Sequence, residues 1–237
     1  MADFTTPNPC TATFIHLFKP NDQGKYELTL LFDKNDAGQM EDVKAIAGQI
    51  AATIKAGCTE EIGYNPKTGK SFIPFAGCDP NNEAWVRTLQ TPLKDADAYV
   101  LSRGKNAGRT RAEVTPEFAG KFYMVVKTSK NLAQEKGPDG MSFLRDLSTG
   151  ADLDRRTLYP GALVRPVLWF RPYVTEQNDM GIQAVLQALV KTGDGTPLID
   201  MEDRDPLAAF NLPRPGAEAA GADAGRSMLG AIMNGSV

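Results

Sequence analysis

Two runs of this sequence interleave aromatic rings with cations at a spacing of two residues. Leu163 to Val174 reads LVRPVLWFRPYV and follows a Tyr159-Pro160-Gly161 turn. In an extended strand successive side chains alternate faces. One face then carries Leu163, Arg165, Val167, Trp169, Arg171 and Tyr173, and the other Val164, Pro166, Leu168, Phe170, Pro172 and Val174. Lys121 to Lys130, KFYMVVKTSK, repeats the pattern, with Lys121, Tyr123, Val125 and Lys127 on one side and Phe122, Met124, Val126 and Thr128 on the other. Rings stack on unpaired bases and cations neutralise phosphates, so such a face suits a single-stranded nucleic acid. The same alternation also describes a buried strand whose arginines reach solvent at its rim, and both readings stand at this stage. Pro166 and Pro172 lack an N–H and favour an edge strand or a bulge.

Other residues invite different chemistry. Ser102 to Ala112, SRGKNAGRTRA, holds Arg103, Lys105, Arg109 and Arg111 with two glycines and no acid. It reads either as a solvated basic loop or as a clamp over a phosphate backbone. Gly69-Lys70-Ser71 ends like a phosphate-binding loop, but the required glycine five positions earlier is Tyr64, so a hairpin turn is expected there. Asp146, Asp152 and Asp154 could be imagined as metal ligands of a nuclease. They have no histidine nearby and no second acidic cluster, so a solvated loop is expected. His16 is the sole histidine, and Cys10, Cys58 and Cys78 are far apart in sequence. That pattern fits free thiols and neither a disulfide framework nor a zinc site. No metal and no cofactor is expected, and no catalytic group stands out.

The elements that must position these residues are mainly β. Thr11 to Phe18 alternates and reads as a strand, with Phe14 expected in the core and His16 packed or hydrogen-bonded. Lys25 to Phe32, KYELTLLF, alternates with Tyr26, Leu28, Leu30 and Phe32 on one apolar face. Asp36 and Gln39 have capping-box spacing. Behind them Met40, Val43, Ile46, Ala47, Ile50 and Ile54 recur at helical spacing, and Gly57 is placed to end that helix. Residues 58–100 are loop-rich, with Trp85 expected on a short helical turn as a core anchor. Gln177 to Gly181 is a turn. Gly181 to Val190, GIQAVLQALV, is ambiguous: its composition favours helix and its position favours a strand.

The totals bound the class. At 237 residues and 42% hydrophobic content the chain can bury a sizeable core. No apolar run approaches the ~20 residues a membrane helix needs, so no membrane partner is expected. The first ten residues lack the basic start and apolar stretch of a secretory signal. The net charge of −3 conceals a segregation: residues 100–175 hold 13 Lys/Arg against 7 Asp/Glu, and the rest of the chain is correspondingly acidic.

Four patterns carry a family resemblance: Phe14-Ile-His-Leu-Phe18; KYELTLLFDK from Lys25 to Lys34; Ala119-Gly-Lys-Phe-Tyr123 with Lys127 to Lys130; and Tyr159-Pro-Gly161 followed by its strand and Gly181. Together they span about residues 10–200, and in this order they resemble the phage-encoded replication and recombination proteins that bind single-stranded DNA through an OB-fold. The resemblance implies a five-stranded barrel with long loop insertions and a bracing amphipathic helix. With a polar, proline-containing stretch read as a loose arm at 1–10 and an Ala/Gly-rich end read as a flexible tail, the expected division is an arm at 1–10, a binding domain at 11–200 and a tail at 201–237. The resemblance also implies no catalysis, location in the cytoplasm of an infected bacterial host, and single-stranded DNA as the partner, bound with little sequence specificity. Phage replication proteins such as a polymerase or helicase, and a second copy of the chain, are further partner classes it leaves open. The DNA-contacting residues expected are Trp169, Tyr173, Tyr123, Arg165, Arg171, Lys121 and Lys127, with Arg103, Lys105, Arg109 and Arg111 as a clamp. The strongly acidic tail of some members has no counterpart at 217–237; the acids lie earlier, at 200–205. Two rivals remain: a barrel-based virion or adaptor protein, and a metal-dependent nuclease.

Overall fold

The computed structural model describes residues 3–198 except 22, 66, 67 and 176. The expected tail at 201–237 and the acidic run at 200–205 lie outside the described residues. The core is a ring of five strands: β2 (Cys10–His16), β3 (Tyr26–Asp33), β7 (Lys121–Thr128), β10 (Met180–Gly193) and β9 (Leu163–Val174). β9 neighbours β2, β2 pairs with β3, β3 with β7, β7 with β10, and β10 closes the ring on β9. The β7–β10 contact is parallel, at Lys127 and Val185; the others are antiparallel. This closed mainly-β barrel has the architecture of an OB-fold. Short strands decorate it: β1 (Phe4–Thr5) on β9, β6 (Leu93–Asp95) on β7 and β8 (Leu144–Asp146) on β10, with a separate hairpin of β4 (Gly63–Asn65) and β5 (Lys70–Phe72).

The alternation holds in β9, whereas in β3 both faces are covered and Thr29 and Leu31 are buried as well. Leu28, Leu30 and Phe32 of β3 are fully buried. In β9, Val164, Pro166, Leu168, Phe170 and Pro172 face inward, while Leu163, Arg165, Val167, Trp169, Arg171 and Tyr173 face outward with partial or full exposure. Pro166 and Pro172 are tolerated within the long β9–β10 ladder, opposite Leu189 and Ile182.

α1 (Ala37–Thr59) braces the ring, contacting β9, β3 and β10. Asp36 Oδ1 accepts from Gln39 N at 3.0 Å, but the Gln39 carbonyl reaches back to Asp33 N at 2.7 Å, so only half of the expected capping box forms at Asp36. Val43, Ile46, Ile50 and Ile54 are buried, each stabilising the fold by about 1.5–3 kcal/mol; Ala47 is exposed. Gly57 does not end the helix, which runs on to Thr59. It is instead a point of close approach, where an added Cβ would lie 2.7 Å from the Phe75 ring. Trp85 sits on the helical turn α2 (Glu83–Val86) and meets Phe75 edge-on at 5.7 Å.

One open reading is settled and two further expectations change. Gly181 to Val190 is strand, because β10 pairs with β9 from Met180 opposite Val174 to Gly193 opposite Leu163, and that pairing overrides the helical propensity of Ala, Leu and Gln. Phe14 is not core: its φ of 48° breaks the β2 alternation, the β2–β3 register shifts between Thr13 and His16, and the ring is 44% exposed. The N-terminal segment is docked and not loose. β1 pairs with β9, and Asn8 N donates to the buried Asp42 of α1 at 3.0 Å. Burial pushes the Asp42 carboxyl above its usual range against the pull of Asn8 and Arg165.

Candidate nucleic-acid interface

Strand register gathers the outward residues of β9, β10, β7 and β3 on one outer face. Partners across a sheet share a face. Glu27 of β3 lies opposite Lys127 of β7, Lys127 opposite Val185 of β10, and Val185 opposite Trp169 of β9. One step along, Arg171 lies opposite Gln183, and beyond it Tyr173 lies opposite Gly181. Tyr123 and Val125 continue the β7 side, beside Leu31 and Thr29 of β3.

A cavity of about 450 Å³ opens where β7 changes partner along one edge, from β6 at Phe122–Met124 to β10 at Lys127. Tyr99, Tyr123 and Tyr173 supply its rings, Lys94 and Lys127 its cations, and Gln183 part of its floor. Gly181 is required here. A Cβ would overlap the Gln90 carbonyl, which already accepts from Ile182 N at 2.8 Å, and would lie 2.8 Å from Tyr173 Oη. Burial, and secondarily Tyr99, pushes the Tyr123 phenol up to about 12. Burial, with Asp179 second, also raises Tyr173. Both hydroxyls therefore keep their protons at ordinary pH and can donate as well as accept. A second concavity of about 370 Å³ adjoins, lined by Trp169, Arg171, Lys130, Val185, Gln187 and Asp3.

On the other flank the rings form a chain. Tyr99 lies 6.3 Å from Tyr123, Tyr123 lies 5.3 Å from Phe118, and Phe118 lies 6.0 Å from Phe14. The Arg111 guanidinium covers Phe118 at 4.6 Å and Phe14 at 5.5 Å, and Lys94 sits over Tyr99 at 3.6 Å. A short helix, α3 (Arg111–Val114), holds Arg111 there. Its capping box is complete, with Glu113 N donating to Thr110 Oγ1 at 3.2 Å and Thr110 N to Glu113 Oε2 at 2.6 Å.

The structure thus brings Trp169, Tyr173, Tyr123, Arg171, Lys121 and Lys127 to one face, with differing commitments. Lys127 is paired with Glu27 at 3.1 Å. Lys121 touches only the Ala119 carbonyl, at 3.4 Å, and forms no ion pair among the described residues. Arg165 belongs to the same strand face, but its Nε donates to Thr6 O at 2.8 Å, so it anchors the N-terminal segment. Arg103, Lys105 and Arg109 are exposed on the loop between Val100 and Thr110, where Arg109 Nη2 donates to Glu113 O at 3.0 Å. Arg111 leaves that loop for the ring chain. Tyr99, Lys94, Phe118 and the exposed Phe14 were not expected here. Lys94 and Tyr99 lie in a segment with little periodicity, and only tertiary pairing of β6 with β7 delivers them.

The other candidate motifs are structural. Gly69 (φ 66°) closes the β4–β5 hairpin, its N–H donating to Asn65 O at 2.8 Å. Asp152 accepts from Lys136 at 2.6 Å and Ser142 N at 2.9 Å, Asp146 caps Ser148 and Thr149, and Asp154 caps Arg156 and Thr157. No group of three metal-binding side chains occurs among the described residues. Tyr159 Oη donates to Gly195 O at 3.1 Å and Gly161 packs against Thr196, so the Tyr-Pro-Gly motif latches the end of β10. No described helix is long and apolar enough to cross a membrane.

The likeness is to a phage single-stranded DNA-binding protein. The solved structure titled single-stranded DNA-binding protein from bacteriophage Enc34 superposes with a TM-score of 0.52 at 20% identity, over 85% of this chain and 89% of that one. The same protein solved in complex with single-stranded DNA gives 0.52 at 20% identity, over 82% and 88%. Gp2.5, a single-stranded DNA-binding protein encoded by bacteriophage T7, gives 0.48 at 14% identity, over 92% and 99%. No protein-family model and no curated protein matches the sequence. The resemblance seen in the motifs is therefore present in the fold, which the Enc34 protein shares with this chain.

Proposed function

We propose that this protein binds single-stranded DNA on the outer face of the barrel during phage DNA replication, recombination or repair, without catalysing a reaction. One observation carries the reading. Partly or fully exposed rings from separate segments (Phe14, Tyr99, Tyr173 and Trp169) share one face with Arg111, Lys94, Lys127, Lys121 and Arg171, above the buried Phe118 and Tyr123. Stacking on such rings contributes about 1–3 kcal/mol per base by alanine substitution and tolerates any sequence. The cations neutralise phosphates and release counterions. The strand and loop insertions of an OB-fold commonly carry this kind of binding, and the likeness to the Enc34 protein supports it.

Within this reading Trp169, Tyr173 and the cavity tyrosines hold bases, and Arg171, Lys121 and Lys94 hold phosphates. Lys127 contributes less charge because Glu27 offsets it, and Arg165 acts through the N–H groups that Thr6 leaves free. Arg103, Lys105 and Arg109 close over the strand from the side. The residue 11–200 segment is the binding domain, working in the cytoplasm of the host cell alongside the phage replication enzymes. The test is an equilibrium titration of an oligo-dT strand against a duplex of equal length. The strand is expected to bind much the tighter, and equal or absent binding at low salt would favour a virion or adaptor role.

A further inference from the structure

Gln183 stands between the two concavities of the outer face. It lines the tyrosine cavity, while its cross-strand partner Arg171 lines the adjoining one with Trp169. Arg171 Nε and Nη2 reach Gln183 Oε1 at 3.3 and 3.1 Å. A guanidinium only donates, so it can face only the amide oxygen, and the sense of the amide is fixed chemically. The Gln183 NH2 is left as a donor with no acceptor capacity.

Lys94 and Lys127 add two donor-only ammonium groups to the wall, while Gln90, Thr91 and the three tyrosine hydroxyls can donate or accept. None of the described lining residues is acidic. A volume of about 450 Å³ falls at the small end of the usual range for ligand sites and accommodates one base. The four bases differ in how they meet a donor-rich wall. At position 4 thymine presents the O4 acceptor where cytosine presents the N4 amino donor, and adenine likewise presents its N6 amino donor, so a donor-only amide facing that edge separates them. Thymine and cytosine share a single-ring stacking face and differ at position 4 and in the thymine 5-methyl, so substitution of Gln183 separates a hydrogen-bonded preference from one carried by the methyl.

We infer that this cavity takes a single base of the bound strand and selects thymine over cytosine, with Gln183 as the specificity-determining residue. The inference rests on the reading of the outer face as a single-stranded DNA site and refines it. Binding elsewhere on the face stays sequence-tolerant, and one position carries a preference worth about one hydrogen bond.

The experiment compares the affinities of oligo-dT and oligo-dC of equal length for the full chain and for Gln183→Leu and Gln183→Glu, with melting temperatures measured in parallel. The wild type should favour oligo-dT by about two- to tenfold, the range of one net hydrogen bond. In Gln183→Leu the ratio should fall to about one. In Gln183→Glu it should move toward oligo-dC, because a carboxylate accepts from the cytosine amine. Tight and equal binding of both oligomers by the wild type would overturn the selection while leaving single-stranded DNA binding intact. A preference that survives in both variants would overturn the assignment to Gln183. Failure of the wild type to bind either oligomer would instead remove the reading on which the inference rests.

Discussion

Salt dependence gives the sharpest quantitative test of the outer face, and Arg171→Gln is the informative perturbation. Arg171 is exposed and bonded only to a neutral amide, so its replacement should leave the fold intact. Lys121, Lys94 and Arg111 are further cations of the face that form no ion pair among the described residues; Arg165, also without one, is held by Thr6 O and is left out of the count. Lys127 and Lys130 are already paired, with Glu27 and Glu135. Each phosphate neutralised on a single strand contributes about −0.7 to the slope of log affinity against log salt. Four unpaired cations predict a slope of about −3, equivalent to roughly a 50-fold loss of affinity between 50 and 200 mM salt. If Arg103, Lys105 and Arg109 also close on the strand, the slope steepens to about −5. Fluorescence titration of oligo-dT across this range measures it. Arg171→Gln should make the slope shallower by about 0.7 with an unchanged melting temperature. A slope near zero, or one indifferent to Arg171, would refute phosphate neutralisation by this face.

Adjacent residues on opposite faces of β9 should behave oppositely. Trp169→Ala, in a Trp85→Phe background that isolates the fluorescence signal, should weaken strand binding by about 1–3 kcal/mol and abolish the quenching caused by DNA. Phe170 is buried against Phe4, so Phe170→Ala should cost about 3–5 kcal/mol of stability in thermal melts and leave affinity near normal while folded. Gly181→Ala should destabilise the fold by about 1–3 kcal/mol and weaken binding by displacing Tyr173, read by melting and titration of the same variant. Lys136 and the Ser142 N–H hold Asp152 at about 2, below the ordinary 3.8. The stability this gives is fully present above the ordinary value and is lost as pH falls toward 2. Asp152→Asn should therefore melt below wild type at pH 5, with the gap closing by pH 2.

The parts of this fold that were legible in the sequence are those governed by a local period. The two-residue alternation of Leu163–Val174 sorted core from outer face, that of Tyr26–Phe32 found Leu28, Leu30 and Phe32 but not the burial of Thr29 and Leu31 on the opposite face, and the spacing of Val43, Ile46, Ile50 and Ile54 located the buried side of α1. What escaped was decided by distant partners. β10 was open between helix and strand in the sequence, because its composition favours helix and only its ladder with β9 decides for strand. Phe14 leaves the core through a single left-handed residue, which no pattern of side-chain types announces. Tyr99 and Lys94 reach the cavity because β6 happens to pair with β7, and Arg111 serves the ring chain because a capping box turns it out of its loop. Arg165 was legible as an outward residue, but its bond to Thr6 depends on the docking of an N-terminal segment that reads as a loose arm.

The central claim is that bases lie on the outer face of the barrel, and photo-crosslinking addresses it most directly. An oligo-dT carrying 5-iododeoxyuridine transfers covalently to aromatic side chains that stack on it, and the attachment points can be read by peptide mass spectrometry. Crosslinks at Trp169, Tyr173 and Tyr99, suppressed by excess unlabelled strand, are the predicted result. Crosslinks confined to rings away from this face, such as Phe18 or Tyr64, would contradict the account.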